Sequence, residues 1–170
     1  MDRIKFVVED YVDKEGGWSF PTINIYINNR NLIDLVSEVE LGRRKHEAGY
    51  ARSAYIGFHA EEYDLFRSEA LALHRNPYSV LLTCTCTIPE CSCIIGEVSL
   101  QSEMVFWSEI RNPFLASKDP YVRWDVEDAD APKWKPLDYS CLGVFVFRRE
   151  EYVHAVNDLG RYWRIWRRSR

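Results

Sequence analysis

Four of the chain's five cysteines fall within ten residues, in the run Leu82-Thr83-Cys84-Thr85-Cys86-Thr87-Ile88-Pro89-Glu90-Cys91-Ser92-Cys93. Cys84 and Cys86 are two apart, so on a strand they share a face, and Cys91 and Cys93 do likewise. With residues 87–90 as the turn of a β-hairpin, Cys86 faces Cys91 and Cys84 faces Cys93. Four sulfurs then gather on one side. Three chemistries fit this arrangement. Four thiolates are a standard tetrahedral set for zinc, which makes Cys84, Cys86, Cys91 and Cys93 the candidate metal ligands and zinc the candidate cofactor. The spacing weighs against it, because Cys-x₂-Cys knuckles are the usual donors and side chains two apart on a strand do not chelate easily. Directly opposed cysteines can also form a strained, labile cross-strand disulfide, although no Cys-x-x-Cys motif supports a thioredoxin-like role. Finally, the thiols can pack as small hydrophobes. Cys141 stands apart, and reads as a core thiol on the approach to the last strand.

Other reactive groups are dispersed. Glu97, Glu103, Glu109 and the loop acids Asp125, Glu127, Asp128 and Asp130 could supply a carboxylate pair or a hard-cation site. The loop acids lack the glycine and terminal glutamate of an EF-hand, and read as a solvated acidic loop. His46, His59, His74 and His154 share no helical or zinc-finger spacing with a cysteine. There is no Gly-x-Ser-x-Gly elbow, no Gly-x-Gly-x-x-Gly and no P-loop, so no catalytic residue is assigned and the familiar nucleotide chemistries are disfavoured. A Ser-His-Asp set assembled in space leaves no such signature.

The elements that would position these groups follow from periodicity. Residues 3–9 and 22–28 alternate, with Ile4, Phe6 and Val8 on one face of the first and Ile23, Ile25 and Ile27 on one face of the second. Asn28-Asn29-Arg30 is a turn. Asn31 then caps a helix whose apolar stripe is Leu32, Leu35, Val36 and Val39, with Asp34 in its first turn and Gly42 at its end. Residues 43–59 show no clear pattern. Residues 60–73 carry a helical stripe of Tyr63, Phe66, Ala70 and Leu73, stopped at Asn76-Pro77. Segments 78–86, 91–100 and 103–111 predict an antiparallel meander. Residues 112–140, with four prolines, form a long irregular stretch. A strand at 143–147 leads into a helix from about Arg149. These elements predict an α+β fold, an antiparallel sheet of about six strands with two or three helices packed on one face, in a single domain spanning 1–170.

The run Leu81-Leu82-Thr83-Cys84-Thr85-Cys86…Cys91, a strand ending in Val105-Phe106-Trp107, and Gly143-Val144-Phe145-Val146-Phe147…Tyr152 resemble a family of small uncharacterised bacterial proteins. Those proteins have a Cys-x-Cys-Gly…Gly-Cys hairpin, a Val-x-Trp strand end and a Gly-Pro-Phe-x-Phe…Tyr element before a terminal helix. Ile25-Tyr26-Ile27-Asn28-Asn29-Arg30-Asn31-Leu32 is similar to the run that opens their first helix. Thr87 and Glu90 stand where the hairpin glycines would be, and Asn112-Pro113-Phe114 where a Pro-His-Arg run would be. The resemblance implies a fold and no mechanism.

Composition narrows the function classes. The aromatic share is 14%, with 6 Trp and 10 Tyr, so the core or a binding surface is aromatic-rich. Net charge is −4, but five of the 22 basic residues are arginines in 161–170, where there is no acid. That leaves 17 basic against 26 acidic residues elsewhere, a net −9. The tail, Arg161-Tyr162-Trp163-Arg164-Ile165-Trp166-Arg167-Arg168, could bind nucleic acid or lie on a membrane. On a helix, however, Tyr152, Val156, Leu159, Trp163 and Trp166 form a stripe suited to packing on the sheet, and the acidic body repels phosphates. The N-terminus does not read as a signal peptide, and no segment approaches the ~18 apolar residues of a membrane span. The expectation is therefore a cytoplasmic protein with reduced thiols, no membrane or nucleic-acid partner, and a possible protein partner. The function expected of it is that of a non-enzymatic binding module, immunity-like or otherwise partner-binding. The alternative is a thiol- or zinc-dependent protein using the 84–93 hairpin.

Overall fold

The alternating N-terminal segments form an antiparallel pair in the computed structural model of the protein, which describes residues 1–13, 17–43, 55–71, 77–85, 93–113 and 137–169. Strand β1 (Ile4–Val12) runs against β2 (Ser19–Ile27), with Phe6 opposite Ile25 and Val8 opposite Ile23. Phe6, Ile23, Ile25 and Ile27 are buried, while Lys5 and Glu9 face solvent. Asn28 and Asn29 both take left-handed φ values, 52° and 66°, the conformation of a two-residue hairpin turn that asparagine tolerates well. The chain therefore pairs back on β2 as a two-residue strand, β3 (Arg30–Asn31), before entering helix α1 (Leu32–Arg43). The Ile33 N–H donates to the Asn31 side-chain oxygen at 2.9 Å, the expected cap.

Strand β4 (Tyr55–His59) lies where the sequence showed no period. Tyr55, Ile56, Gly57 and Phe58 are all buried, and a strand covered on both faces has no alternation to display. At Gly57 an added Cβ would lie 2.2 Å from the Ile23 carbonyl oxygen, so only glycine lets β4 approach β2 this closely. A 3₁₀ turn (Ala60–Glu62) leads into α2 (Tyr63–Ala70), which buries Tyr63, Phe66 and Ala70. Strands β5 (Tyr78–Cys84), β6 (Cys93–Gln101) and β7 (Met104–Arg111) form the expected meander. A second 3₁₀ turn (Ser140–Leu142), β8 (Phe145–Arg148) and α3 (Arg149–Arg168) complete the described chain.

The result is an α+β fold with one antiparallel sheet in the order β1-β2-β4-β5-β6-β7-β8, and β3 beside β2. Among the described residues there are eight strands where six were expected; β3 and β4 are the additions. The sheet curls until its ends touch. The Asp2 N–H donates to the Val146 carbonyl at 2.8 Å, and the Val146 N–H donates to the Asp2 carboxylate at 2.8 Å. From this junction α3 departs, burying Tyr152, Val156, Leu159 and Trp163 as its stripe requires. The Trp107 indole N–H donates to the Tyr152 hydroxyl at 3.0 Å, with Phe147 packed against both rings. Burying each such ring contributes roughly 2–3 kcal/mol. The Tyr63 hydroxyl donates to the Val156 carbonyl at 3.0 Å, where α2 crosses α3 at Gly160. A Cβ at Gly160 would lie 2.4 Å from that hydroxyl oxygen.

Candidate partner-binding groove

Cys84 and Cys93 do not face each other as the expected register has them. Cys93 pairs with Thr83, because a bulge between Val80 and Leu82 shifts β5 against β6. Cys84 pairs with Tyr55 on the other side of β5. Thr83 and Cys84 are neighbours on a strand and point to opposite faces, so Cys84 and Cys93 do not face each other. Cys84 is buried and Cys93 half-buried. Cys86 and Cys91 lie outside the described residues. Among the described residues, no group of three or more His, Cys, Asp or Glu side chains could hold a metal ion. Cys141 is exposed, not in the core, because it sits on the 3₁₀ turn before β8.

The other reactive candidates are also separated. Glu109 takes a left-handed φ of 50° beside a second register shift; it pairs with Arg111 at 3.1 Å and accepts from the Tyr78 hydroxyl at 3.2 Å. Glu97 pairs with Tyr78 and Ser108 across the meander, and Glu103 sits in the β6–β7 turn. His59 stacks on Phe20, centroids 4.0 Å apart, in a ladder that continues to Trp18. His46, His74, Asp125, Glu127, Asp128 and Asp130 lie outside the described residues.

A cluster that sequence reasoning missed centres on Glu40, which is 5% exposed. The Tyr55 and Tyr139 hydroxyls donate to its Oε1 at 2.9 and 2.6 Å, and the Asn112 amide donates to the Tyr55 oxygen at 2.6 Å. The signal was present: Leu32, Val36 and Glu40 recur every four residues, so Glu40 sits on the buried stripe of α1. With its oxygen met by two phenols, the carboxylate ties α1, β4 and the segment before β8 together.

The feature with an outward-facing role lies at the edge of β1. This strand bonds β2 through its odd-numbered residues: the Asn28 N–H donates to the Arg3 carbonyl and the Asp13 N–H to the Trp18 carbonyl, each at 2.9 Å. The main-chain groups of Ile4, Phe6 and Val8 are in the other phase and point away from β2. Among the described residues no strand pairs with β1 on that side. A groove of about 1050 Å³ opens there, between β1 and α3. Its strand wall is the consecutive run of residues 4–8, so both faces of β1 border it and it lies along the strand's edge. Its helix wall extends from Glu150 to Ser169, roughly 28 Å at the helical rise. The middle of that wall is apolar, formed by Ala155, Leu159, Tyr162, Ile165 and Trp166. Tyr162 and Ile165 are 64% and 66% exposed. Charged groups frame it: Glu150, Glu151 and Asp158 against Lys5, with His154 bonded to Asp158 at 2.8 Å.

No protein-family model matches the chain, and no curated protein or solved structure is significantly similar to it. Among the described residues no helix is long and apolar enough to cross a membrane.

Proposed function

We propose that the protein is a non-enzymatic binding module that holds a protein partner in the groove between β1 and α3. One observation carries this reading: a strand edge that no described strand covers and exposed apolar side chains of α3 line the same cavity. Unpaired strand edges and exposed apolar patches are each liabilities that folded proteins avoid unless a partner covers them. The proposal takes α2 and α3 to lie together on the face that carries Phe6, consistent with the Phe6–Phe66 ring contact at 5.5 Å and the Tyr63–Val156 bond.

The test is affinity recovery from cells that make the protein, run in parallel with wild type, Ile165→Asp and Trp18→Ser. A stoichiometric partner held by wild type and Trp18→Ser, and lost with Ile165→Asp, is the expected result. A partner retained by Ile165→Asp places the contact elsewhere and removes the groove from consideration.

A further inference from the structure

Given that the groove is the partner site, on which this step rests, its construction also specifies the form of the occupant. We infer that the partner contributes an extended segment that adds to β1 as a further strand, with apolar residues toward α3 and cationic residues toward Glu150 and Glu151.

Three observations converge on this. The first is the direction of the main-chain groups. Ile4, Phe6 and Val8 present N–H and C=O groups to the groove at the two-residue repeat of a strand edge. Such a row is matched by the backbone of an extended segment and not by a helix, whose own backbone groups are already bonded internally. The second is shape. The cavity follows the strand for residues 4–8 and the helix for most of its length, making it a trough and not a socket. A five- to seven-residue strand spans roughly 17–23 Å, which fits within that trough. One face of the added strand would meet Leu159, Tyr162 and Ile165, and the other would meet solvent. This calls for alternating apolar and polar side chains in the occupant. The third is charge. The lining carries three carboxylates and one lysine. Asp158 is already shared with His154 and Arg161, and Glu151 lies 3.9 Å from Arg148, so Glu150 is the carboxylate best placed to receive a cation, with Glu151 next to it at the outer limit of its own ion pair.

The experiment uses the full-length protein and a fluorescein-labelled heptapeptide of alternating Val and Lys with blocked ends, read by anisotropy. Two versions carry N-methyl groups on every second residue, one in each phase, and a fourth peptide replaces Lys with Glu. The unmodified Val/Lys peptide is expected to bind, with affinity that falls as salt rises. The Val/Glu peptide should bind at least tenfold more weakly. Of the two N-methylated versions, one should lose at least tenfold and the other should bind nearly as the parent does, because only alternate N–H groups of an added strand face β1. Equal binding of the two phases overturns strand addition. If Ile165→Asp abolishes that binding, the groove reading survives its loss; if Ile165→Asp leaves it unchanged, the groove reading falls as well. No binding of the Val/Lys peptide at millimolar concentration overturns the inference. A dimer in sedimentation velocity that Val8→Lys dissociates assigns the edge to a second copy of this chain and overturns it too. Circular dichroism of the Ile165→Asp protein serves as the folding control.

Discussion

At Glu40, a carboxylate withdrawn from water meets two phenol hydroxyls, one of which meets Asn112 in turn. Along the outer edge of β1, the main-chain groups of Ile4, Phe6 and Val8 point into a groove and meet no other strand among the described residues. Both regions border the same sheet, and both set polar groups beside apolar ones. At the first, every bond described is supplied from within the chain, so the cluster contributes to stability. At the second, no described strand meets the polar row, and on the proposed reading a partner satisfies it. A region completed internally should be costly to mutate and silent in binding. A region left open should be cheap to mutate and decisive in binding.

The sharpest way to break this contrast is at Glu40. Replacing it with leucine leaves two buried hydroxyls without their acceptor and should destabilise the protein by about 3 kcal/mol. Glu40→Gln, which keeps an acceptor oxygen, should cost about half as much. Urea denaturation at constant m-value measures both. A loss below 0.5 kcal/mol for the leucine variant, a threshold set by ordinary surface substitutions, would mean that the cluster is not a stabilising centre.

Alkaline titration probes the interior next. Burial holds the Tyr152 phenol far above its usual range, the Trp107 N–H bond opposing this weakly, and burial raises Tyr63 in the same direction. Below about pH 10 this contribution is complete, because the phenols are neutral in folded and unfolded chains alike. Above it, the unfolded chain releases protons that the fold retains. Stability should then fall with rising pH, by up to about 1.4 kcal/mol per pH unit for Tyr152. Tyr152→Phe should flatten that slope; an unchanged slope would assign the loss to other groups.

The cysteines come next in size. Cys84→Ser places a hydroxyl in a buried site and should cost about 1–2 kcal/mol, while Cys93→Ser, half-buried, should cost less than 1 kcal/mol. A chelator should leave the melting temperature of wild type unchanged. A chelator-induced drop that the Cys84→Ser variant lacks would support the alternative reading, in which the 84–93 segment holds metal. The smallest effect belongs to the groove. Ile165→Asp should change stability by no more than about 0.5 kcal/mol while removing partner binding. A large destabilisation would move Ile165 from the open region to the closed one.

What could be read from the sequence follows the same division. Strands β1 and β2, the Asn31 cap, the α2 stripe and the Tyr152–Trp163 stripe were legible because each has one buried face and therefore a period. β4 was not, since Tyr55 to Phe58 are buried without alternation. Glu40 was legible in principle, as a carboxylate on an apolar stripe. The cysteine register was not, because the bulge at Val80–Leu82 depends on how β5 and β6 settle against their neighbours. The tail drew notice for its mixture of aromatics and cations, yet its exposed Tyr162 and Ile165 acquire meaning only from the gap between α3 and an edge strand far away in sequence. That gap is a tertiary fact with no local signature.

The Asp2–Val146 junction bears on timing. The two residues it joins are separated by 144 positions, so the bond closes a loop of nearly the whole described chain. The walls of the groove are the elements on either side of this junction. During synthesis β1 emerges about 140 residues ahead of α3, a lead that at ribosomal rates lasts on the order of 10–30 s. Throughout that interval the groove, which needs both walls, is absent. A partner that reads both walls would thus ignore nascent and C-terminally truncated chains and engage only those whose ends have met.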